Sequence, residues 1–344
     1  MKRTINAIFL LQISLCALSC NNGNGGVDYR RNITSIRGEF LQIDELIGKP
    51  YDITCMDNLL IYYDRYDGKF YSVYDVERKQ FVGRYVSEGN GPGEAVPPLN
   101  IISTLSKDTL YAYQRNMAVM SLFGLPDFQM LSNITFNTSG LSAGIAKPVG
   151  MQKTKDYYIG ETNYASGRFG VYNPEGEMLY TGGSYPFRGE SMERIPAFIL
   201  YQGHYCASPA SNRFALGCLC CDHLSFYEAG ENGLTLLKEY ASYDIKASYP
   251  GQIVYDDDCI ISYTWAHSTA SYCYMLYSGK TYAAKGKRDD GGSYIIVFDW
   301  DGNYVKTLET DREIRTFCVD EAGQIIYAVA LGDDGEYGII KFKL

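Results

Sequence analysis

One short pattern returns along most of this chain: an apolar residue, an aromatic residue and a polar residue, followed by a turn and another apolar run. It appears at 73–75, 122–124, 171–173, 226–228, 297–299 and 341–343. The aromatic residues of successive copies are 44 to 71 residues apart. The rest of the chain from residue 38 onward has short alternating runs bounded by Gly, Asp, Asn and Pro, which are typical of strands. A period of roughly 40–50 residues with four short strands is typical of β-propeller blades.

Six blades can be placed on this repeat. They are predicted to span 51–86, 99–135, 145–182, 199–240, 259–309 and 314–343. The sixth blade has only three strands, while an unassigned run, Glu39–Ile43, lies at the other end of the sequence. Pairing that run with the sixth blade would close the ring and remove two open sheet edges. We therefore predict an all-β, six-bladed β-propeller over residues 38–344, with its last blade closed by an N-terminal strand.

The N-terminus has the features of a secretory signal peptide over residues 1–19. Lys2 and Arg3 precede an uncharged apolar run that is too short for a comfortable transmembrane helix. Cys20 follows Ala17-Leu18-Ser19, which resembles the lipobox of bacterial lipoproteins, so Cys20 is the predicted lipidation site. The alternative is plain secretion with cleavage nearby. Residues 20–37, with their Asn-Gly run, are predicted to be the lipidated Cys and a flexible tether.

Three other segments carry a family resemblance. They are Gly89-Asn90-Gly91-Pro92-Gly93-Glu94, Leu276-Tyr277-Ser278-Gly279-Lys280 and Val297-Phe298-Asp299-Trp300-Asp301-Gly302-Asn303. With the terminal strand order, they make the chain resemble the TolB-like six-bladed propeller lipoproteins of Gram-negative bacteria over about residues 36–344. The resemblance implies a propeller held by its lipid at the cell envelope, in the outer membrane. It implies no reaction that could be assigned to named residues.

Charge and motif content exclude several functions. The chain has 31 Lys and Arg against 40 Asp and Glu, a net charge of −9, whereas nucleic-acid binding needs a clustered basic surface. No G-x-S-x-G nucleophile motif occurs, and the three histidines, His204, His223 and His267, are each interpreted as structural. These motifs therefore predict no catalytic residue, metal ligand or cofactor.

The cysteines of the folded part are interpreted mainly as small apolar residues between blades. The cluster Cys218-Leu219-Cys220-Cys221 is treated in this way rather than as a zinc site. Because an exported protein can form disulfides, a bond from Cys206 to Cys218 or Cys220 on the neighbouring strand is the alternative.

Loop length indicates where binding should occur. In antiparallel four-stranded blades, the loops between the second and third strands and the loops between blades emerge on one face, which we call the long-loop face. That face has the long loops 87–98, 183–197, 241–257 and 279–292, and such loops commonly bind ligands. The candidate binding residues near the channel are Arg65, Arg115, Glu161, Asn163, Tyr164, Arg188 and Lys280. Four cations within 280–288 form a basic patch suited to an anionic ligand.

Two functions fit these observations. The first is a non-enzymatic binding or scaffold lipoprotein that presents the long-loop face to a protein, peptide or glycan and touches the membrane only through its lipid. The second is a metal-dependent, lactonase-like hydrolase, because other six-bladed propellers host that chemistry. It would need several oxygen ligands to meet in the channel, where Glu161 and Asn163 are candidates. Fold class alone does not decide between them.

Overall fold

The computed structural model describes residues 28, 31–139, 147–164, 167–186, 197–248, 252–285 and 291–344. These residues form 26 strands and two four-residue helices, α1 (Ala197–Leu200) and α2 (Tyr282–Lys285). No helix in these ranges is long and apolar enough to cross a bilayer. The predicted signal peptide, Cys20 and Arg188 lie outside the described residues.

Two short strands, β1 (Ile33–Ile36) and β2 (Gly38–Phe40), precede four antiparallel four-stranded blades. Blade one has β3 (Asp52–Met56), β4 (Leu59–Tyr63), β5 (Lys69–Asp75) and β6 (Gln80–Ser87). Blade two has β7 (Leu99–Ile102), β8 (Thr109–Gln114), β9 (Val119–Gly124) and β10 (Gln129–Thr135). Blade three has β11 (Gly150–Lys153), β12 (Tyr158–Tyr164), β13 (Gly167–Tyr172) and β14 (Met178–Gly182). Blade four has β15 (Gly203–Ala207), β16 (Arg213–Cys218), β17 (His223–Ala229) and β18 (Leu234–Ala241).

Blades five and six share one long strand. A small hairpin, β19 (Ala247–Ser248) and β20 (Val254–Tyr255), comes first along the chain. It is followed by β21 (Ile260–Ser268), β22 (Tyr272–Thr281), β23 (Gly292–Asp299), β24 (Tyr304–Asp320), β25 (Ile325–Leu331) and β26 (Tyr337–Lys343). The first part of β24 pairs with β23 as the outer strand of blade five, and its second part pairs with β25 as the inner strand of blade six. The predicted six-bladed, all-β architecture is confirmed.

Aromatic side chains fill the space between neighbouring blades. Phe136, at the end of blade two, lies edge-on to two tyrosines of blade three, with ring centroids 5.2 Å from Tyr158 and 5.3 Å from Tyr172. All three side chains are buried. Edge-to-face contacts of this kind add to the free energy gained from burying apolar area. Packing between blades therefore explains the presence of tyrosine at these two positions.

The predicted ring closure is present. Strand β2 pairs antiparallel with β26, placing Gly38 opposite Phe342 and Phe40 opposite Ile340. The Leu41 amide extends the pairing by donating to the Ile339 carbonyl at 2.8 Å. A Cβ atom on Gly38 would lie 2.3 Å from Ile340 Cδ1, so only glycine allows the strand to come this close. The N-terminal segment thus supplies the fourth strand of blade six.

Strand β1 was not predicted. Residues 33–36 lie within the segment assigned to the tether, but they pair in parallel with β24, with Ile33 opposite Thr307 and Ile36 opposite Thr310. They add a fifth strand at the outer edge of blade five. Ile36 is the only buried residue of β1, so the segment lacks the apolar alternation by which strands are recognised in a sequence. The folded part therefore begins before residue 38.

Candidate functional site

The channel between the six blades contains a cavity of about 200 Å³. Its walls are the innermost strands of the blades, β3, β7, β11, β15 and β21 among them. The polar and aromatic lining residues include Asp52, Thr54, Asn100, Ser103, Gln152, Glu161, His204, Trp265 and His267. This lining offers many hydrogen-bonding groups and one indole ring, and most of its polar groups carry no charge.

The cavity continues toward both faces of the propeller. On the long-loop face it meets a second cavity of about 420 Å³, which shares the wall residues Glu161 and His204 and which we call the channel mouth. Arg115, Gln202 and Leu219 also line that cavity. A third cavity, of about 210 Å³, shares Thr54, Ser103 and His267 and lies among the short turns. The central space is therefore a polar passage with its wider end on the face that has the long loops.

Arg115 is held at the channel mouth by the loop that connects β8 and β9. Its amide donates to the Pro98 carbonyl at 3.1 Å, and the Asn116 side-chain amide donates to the Pro97 carbonyl at 2.9 Å. These bonds fix the loop against the segment that enters blade two. The side chain of Arg115 is exposed and forms no ion pair with any described residue. It places a positive charge at the entrance to the passage.

The structure brings together only some of the predicted binding residues. Arg115 and Glu161 share the channel mouth. Arg65 is instead ion-paired with Glu88 at 3.0 Å, and Lys280, near the end of β22, is ion-paired with Glu313 of β24. Asn163 and Tyr164 belong to β12, but their side chains are outside the description, as is the whole of Arg188. Lys287 and Arg288 of the basic patch also lie outside the described residues.

Glu161 is neutralised by a buried partner. The Arg168 guanidinium is fully buried, donates from Nε to Glu161 Oε1 at 2.9 Å and donates from Nη2 to the Tyr201 carbonyl at 2.6 Å. Its face also lies against the Tyr185 ring, 4.8 Å from the centroid. Burial disfavours the charged guanidinium, but the Glu161 carboxylate more than offsets this and holds the pKa of Arg168 above its usual value. The wall at Glu161 is therefore an ion pair without net charge.

A thiol lies behind this ion pair. Cys218 Sγ is 3.9 Å from Arg168 Nη2 and 4.0 Å from His223 Nδ1, and His223 Nε2 is 2.8 Å from Glu239 Oε1. A hydrogen bond with Cys221, together with the Arg168 charge, holds the pKa of Cys218 well below its usual range. The order thiol, imidazole, carboxylate is that of a nucleophilic triad. Cys218 has no exposed surface and lines none of the three channel cavities, so no substrate can reach its sulfur in this conformation.

Sequence reasoning missed the innermost-strand residues as site candidates. Burial lowers the pKa of His204 and of His267 to about 4, so both imidazoles are neutral at pH 7. Burial also raises the pKa of Asp52 to about 7, although its carboxylate accepts bonds from the Ile101 and Ile53 amides at 2.8 Å each. These residues lie on the first strands of their blades, and first strands line the channel. Their position on the predicted first strands is therefore the sequence signal that could have identified them as channel-lining residues.

The hydrolase alternative needs several ligands around one metal ion. Among the residues that the structure describes, no three His, Cys, Asp or Glu side chains are arranged to hold one. Glu161, the candidate ligand from the sequence, is bonded to Arg168 instead. The described geometry therefore offers no support for a metal-dependent hydrolytic site.

Comparisons with known proteins agree with the fold. The model of the family described as TolB-like 6-blade propeller-like matches residues 31–322. A solved member of the DUF4221 family from Bacteroides vulgatus is similar in structure, with a TM-score of 0.60, 12% identity, and coverage of 90% of this chain and 96% of that one. A Bacteroides fragilis protein assigned as exported has a TM-score of 0.53, also at 12% identity, covering 90% of this chain and 98% of its own. No curated protein is significantly similar in sequence. The chain belongs to the TolB-like six-bladed propeller family.

Proposed function

We propose that this protein is an exported, lipid-anchored binding propeller that takes the end of a glycan into its channel mouth. The observation that carries the proposal is the lining of the passage. Asn100, Gln152 and His204 offer neutral hydrogen-bonding groups, and Trp265 offers an aromatic face beside them. Hydroxyl-rich ligands match such groups without the desolvation cost of an unpaired charge.

The charge arrangement favours an acidic glycan. Glu161 is paired with Arg168, which leaves the exposed Arg115 as the unpaired cation of the described channel mouth. A guanidinium binds a carboxylate through two parallel hydrogen bonds. Ligand sites commonly occupy ~300–1,000 Å³, a range that includes the channel mouth of about 420 Å³. A uronic acid at the chain end would place its carboxylate on Arg115 and its hydroxyls toward the inner cavity.

Binding of defined oligosaccharides tests this proposal. We expect tetragalacturonic acid to bind in calorimetry and maltotetraose to bind more weakly. Arg115→Glu should weaken tetragalacturonate binding by about tenfold or more, since charged hydrogen bonds contribute ~1.5–3 kcal/mol. The matched control is Arg65→Glu, a substitution on the same face but outside the cavities, which should change affinity less than twofold.

Two results would overturn the glycan assignment. One is tetragalacturonate binding that Arg115→Glu and Trp265→Leu leave unchanged in folded protein. The other is the absence of saccharide binding alongside binding of tetra-alanine, whose terminal carboxylate would then identify a peptide site. Melting curves of each variant establish that the fold is intact.

Export and anchoring are part of the same proposal. Their support is the signal-like residues 1–19, the Cys20 context and the structural similarity to a protein assigned as exported. Cys20→Ala should release the protein from the membrane fraction or stall its processing, because the acceptor for the lipid is lost. Fractionation and gel mobility measure both effects. A variant that stays membrane-bound with normal mobility would refute anchoring at Cys20.

A further inference from the structure

Two thiols face each other across the boundary between blades four and five. Cys206 lies on β15, the inner strand of blade four, and Cys273 lies on β22, the second strand of blade five. Their sulfur atoms are 3.5 Å apart, and both residues are buried. The two strands belong to different blades and do not pair with each other. A bond between these sulfurs would therefore link two blades rather than two strands of one sheet.

This partner differs from the one that the sequence suggested. In the register of β15 and β16, Cys206 lies opposite Ala215, and Cys218 lies opposite Gly203. Three residue pairs, or roughly 10 Å of strand, therefore separate Cys206 from Cys218. Cys218 instead contacts Arg168. The neighbour of Cys206 comes from the adjacent blade, which a strand layout along the sequence does not show.

We propose that Cys206 and Cys273 form a disulfide that joins blade four to blade five in the exported protein. A disulfide has sulfurs ~2.05 Å apart. The observed contact needs a further approach of about 1.5 Å, which rotation about the two Cα–Cβ bonds would have to supply. Phe226, Tyr263 and Met275 belong to the same buried cluster as the two cysteines, and Cys206 also borders the channel cavity. The proposal rests on export only for its oxidising compartment.

The chemistry needs an oxidant, which we assign to the class of thiol–disulfide oxidants. The Cys206 thiolate attacks the oxidant's disulfide and releases one thiolate, and the Cys273 thiolate then attacks the Cys206 sulfur and releases the second. Two protons leave the protein, and two electrons reduce the oxidant to its dithiol. Because Cys273 is fully buried and Cys206 borders only the narrow channel cavity, we expect the bond to form while the blades are assembling.

Refolding in a defined redox buffer tests the bond without requiring export. The reduced, denatured chain is refolded with oxidised and reduced glutathione, and its non-reduced peptides are mapped by mass spectrometry. We expect a Cys206–Cys273 linked peptide. Reduction should lower the melting temperature by about 5–10 °C, because the 67-residue separation closes a long loop in the unfolded chain.

Cysteine variants show whether the response to reductant comes from this bond or from the other cysteines. Cys206→Ala with Cys273→Ala should melt near the reduced wild type and show no response to reductant. Cys55→Ala is the control, since its thiol is bonded to the Asp57 carbonyl, and this variant should keep the full response. Eight free thiols after oxidative refolding of residues 21–344, or a linkage of Cys206 to another cysteine, would overturn the proposal. Either result would leave the glycan assignment unaffected.

Discussion

Replacing Arg168 with methionine should lower the free energy of unfolding by about 3–5 kcal/mol, because the buried Glu161 carboxylate then loses the one charged partner that it has among the described residues. Arg168 is fully buried, and its guanidinium binds both Glu161 Oε1 and the Tyr201 carbonyl. Methionine fills much of the volume of arginine. The loss in free energy of unfolding therefore comes mainly from the unpaired polar groups and less from a cavity. Denaturant unfolding followed by tryptophan fluorescence gives the value.

A second substitution separates the effect of the unpaired Glu161 charge on stability from the effect of lost side-chain packing. Glu161→Gln combined with Arg168→Met should recover a large part of the lost stability, because desolvating a neutral amide requires far less free energy than desolvating a carboxylate. Arg65→Met is the matched surface control. The Arg65–Glu88 pair has both side chains nearly half exposed, at 44% and 47%, so its loss should cost less than about 1 kcal/mol. An Arg168→Met variant as stable as Arg65→Met would contradict the assignment of a buried ion pair.

The same pair links stability to the proposed binding. Glu161 lines both the inner cavity and the channel mouth, and Arg168 neutralises it from behind. Burial raises the pKa of the Glu161 carboxyl, and the Arg168 charge opposes that rise. The pair leaves the wall near Arg115 without net charge, which under the proposed function suits an acidic ligand. Arg168 would contribute this without touching the ligand.

The fold was largely predictable because each blade consists of short strands and turns, and each of these gives a recognisable pattern in a few neighbouring residues. Alternating strands, turn residues and a three-stranded last blade were enough to predict six blades and the closing strand. Strand β1 escaped prediction because its pairing with β24 uses backbone atoms and buries only Ile36. A strand that joins a sheet edge mainly through backbone hydrogen bonds does not need alternating polar and apolar side chains. Its sequence therefore does not identify it as a strand.

The candidate site could be predicted as a face but not as a set of side chains. Antiparallel blades force alternate loops onto one end, and Arg65, Arg115 and Lys280 were expected at that end. Whether such a charge is available to a ligand depends on neighbours from other parts of the chain. Glu88 and Glu313 occupy two of these three cations, and these contacts join residues that are 23 and 33 positions apart. The inner-strand residues Asp52 and His204 could be recognised only by their place on the first strand of a blade, because a channel-lining residue has the same local pattern as a core one.

Removing the N-terminal strands should cost about 3–6 kcal/mol of stability and cause aggregation. A chain beginning at residue 42 lacks β1 and β2, which leaves β26 and the outer part of β24 as open edges. The loss combines the hydrogen bonds of both pairings with the burial of Ile36 and Phe40. Exposed edges also offer unpaired backbone groups to other chains. Melting temperature and light scattering, measured under reducing conditions, report the two effects.

Chains that begin at different residues separate the contribution of the two strands to stability from that of the tether. A chain beginning at residue 32 keeps both strands and should match one beginning at residue 21 in stability and in its monomeric state. Gly38→Val provides a point test, because its Cβ would lie 2.3 Å from Ile340 Cδ1 and 2.7 Å from Phe342 Cε1. That variant should lose the β2 pairing while keeping β1, and its stability should fall between the two truncated chains. If the chain beginning at residue 42 melts with the longer ones and stays monomeric, blade six does not need the N-terminal strand, and the ring is held by the packing between its blades.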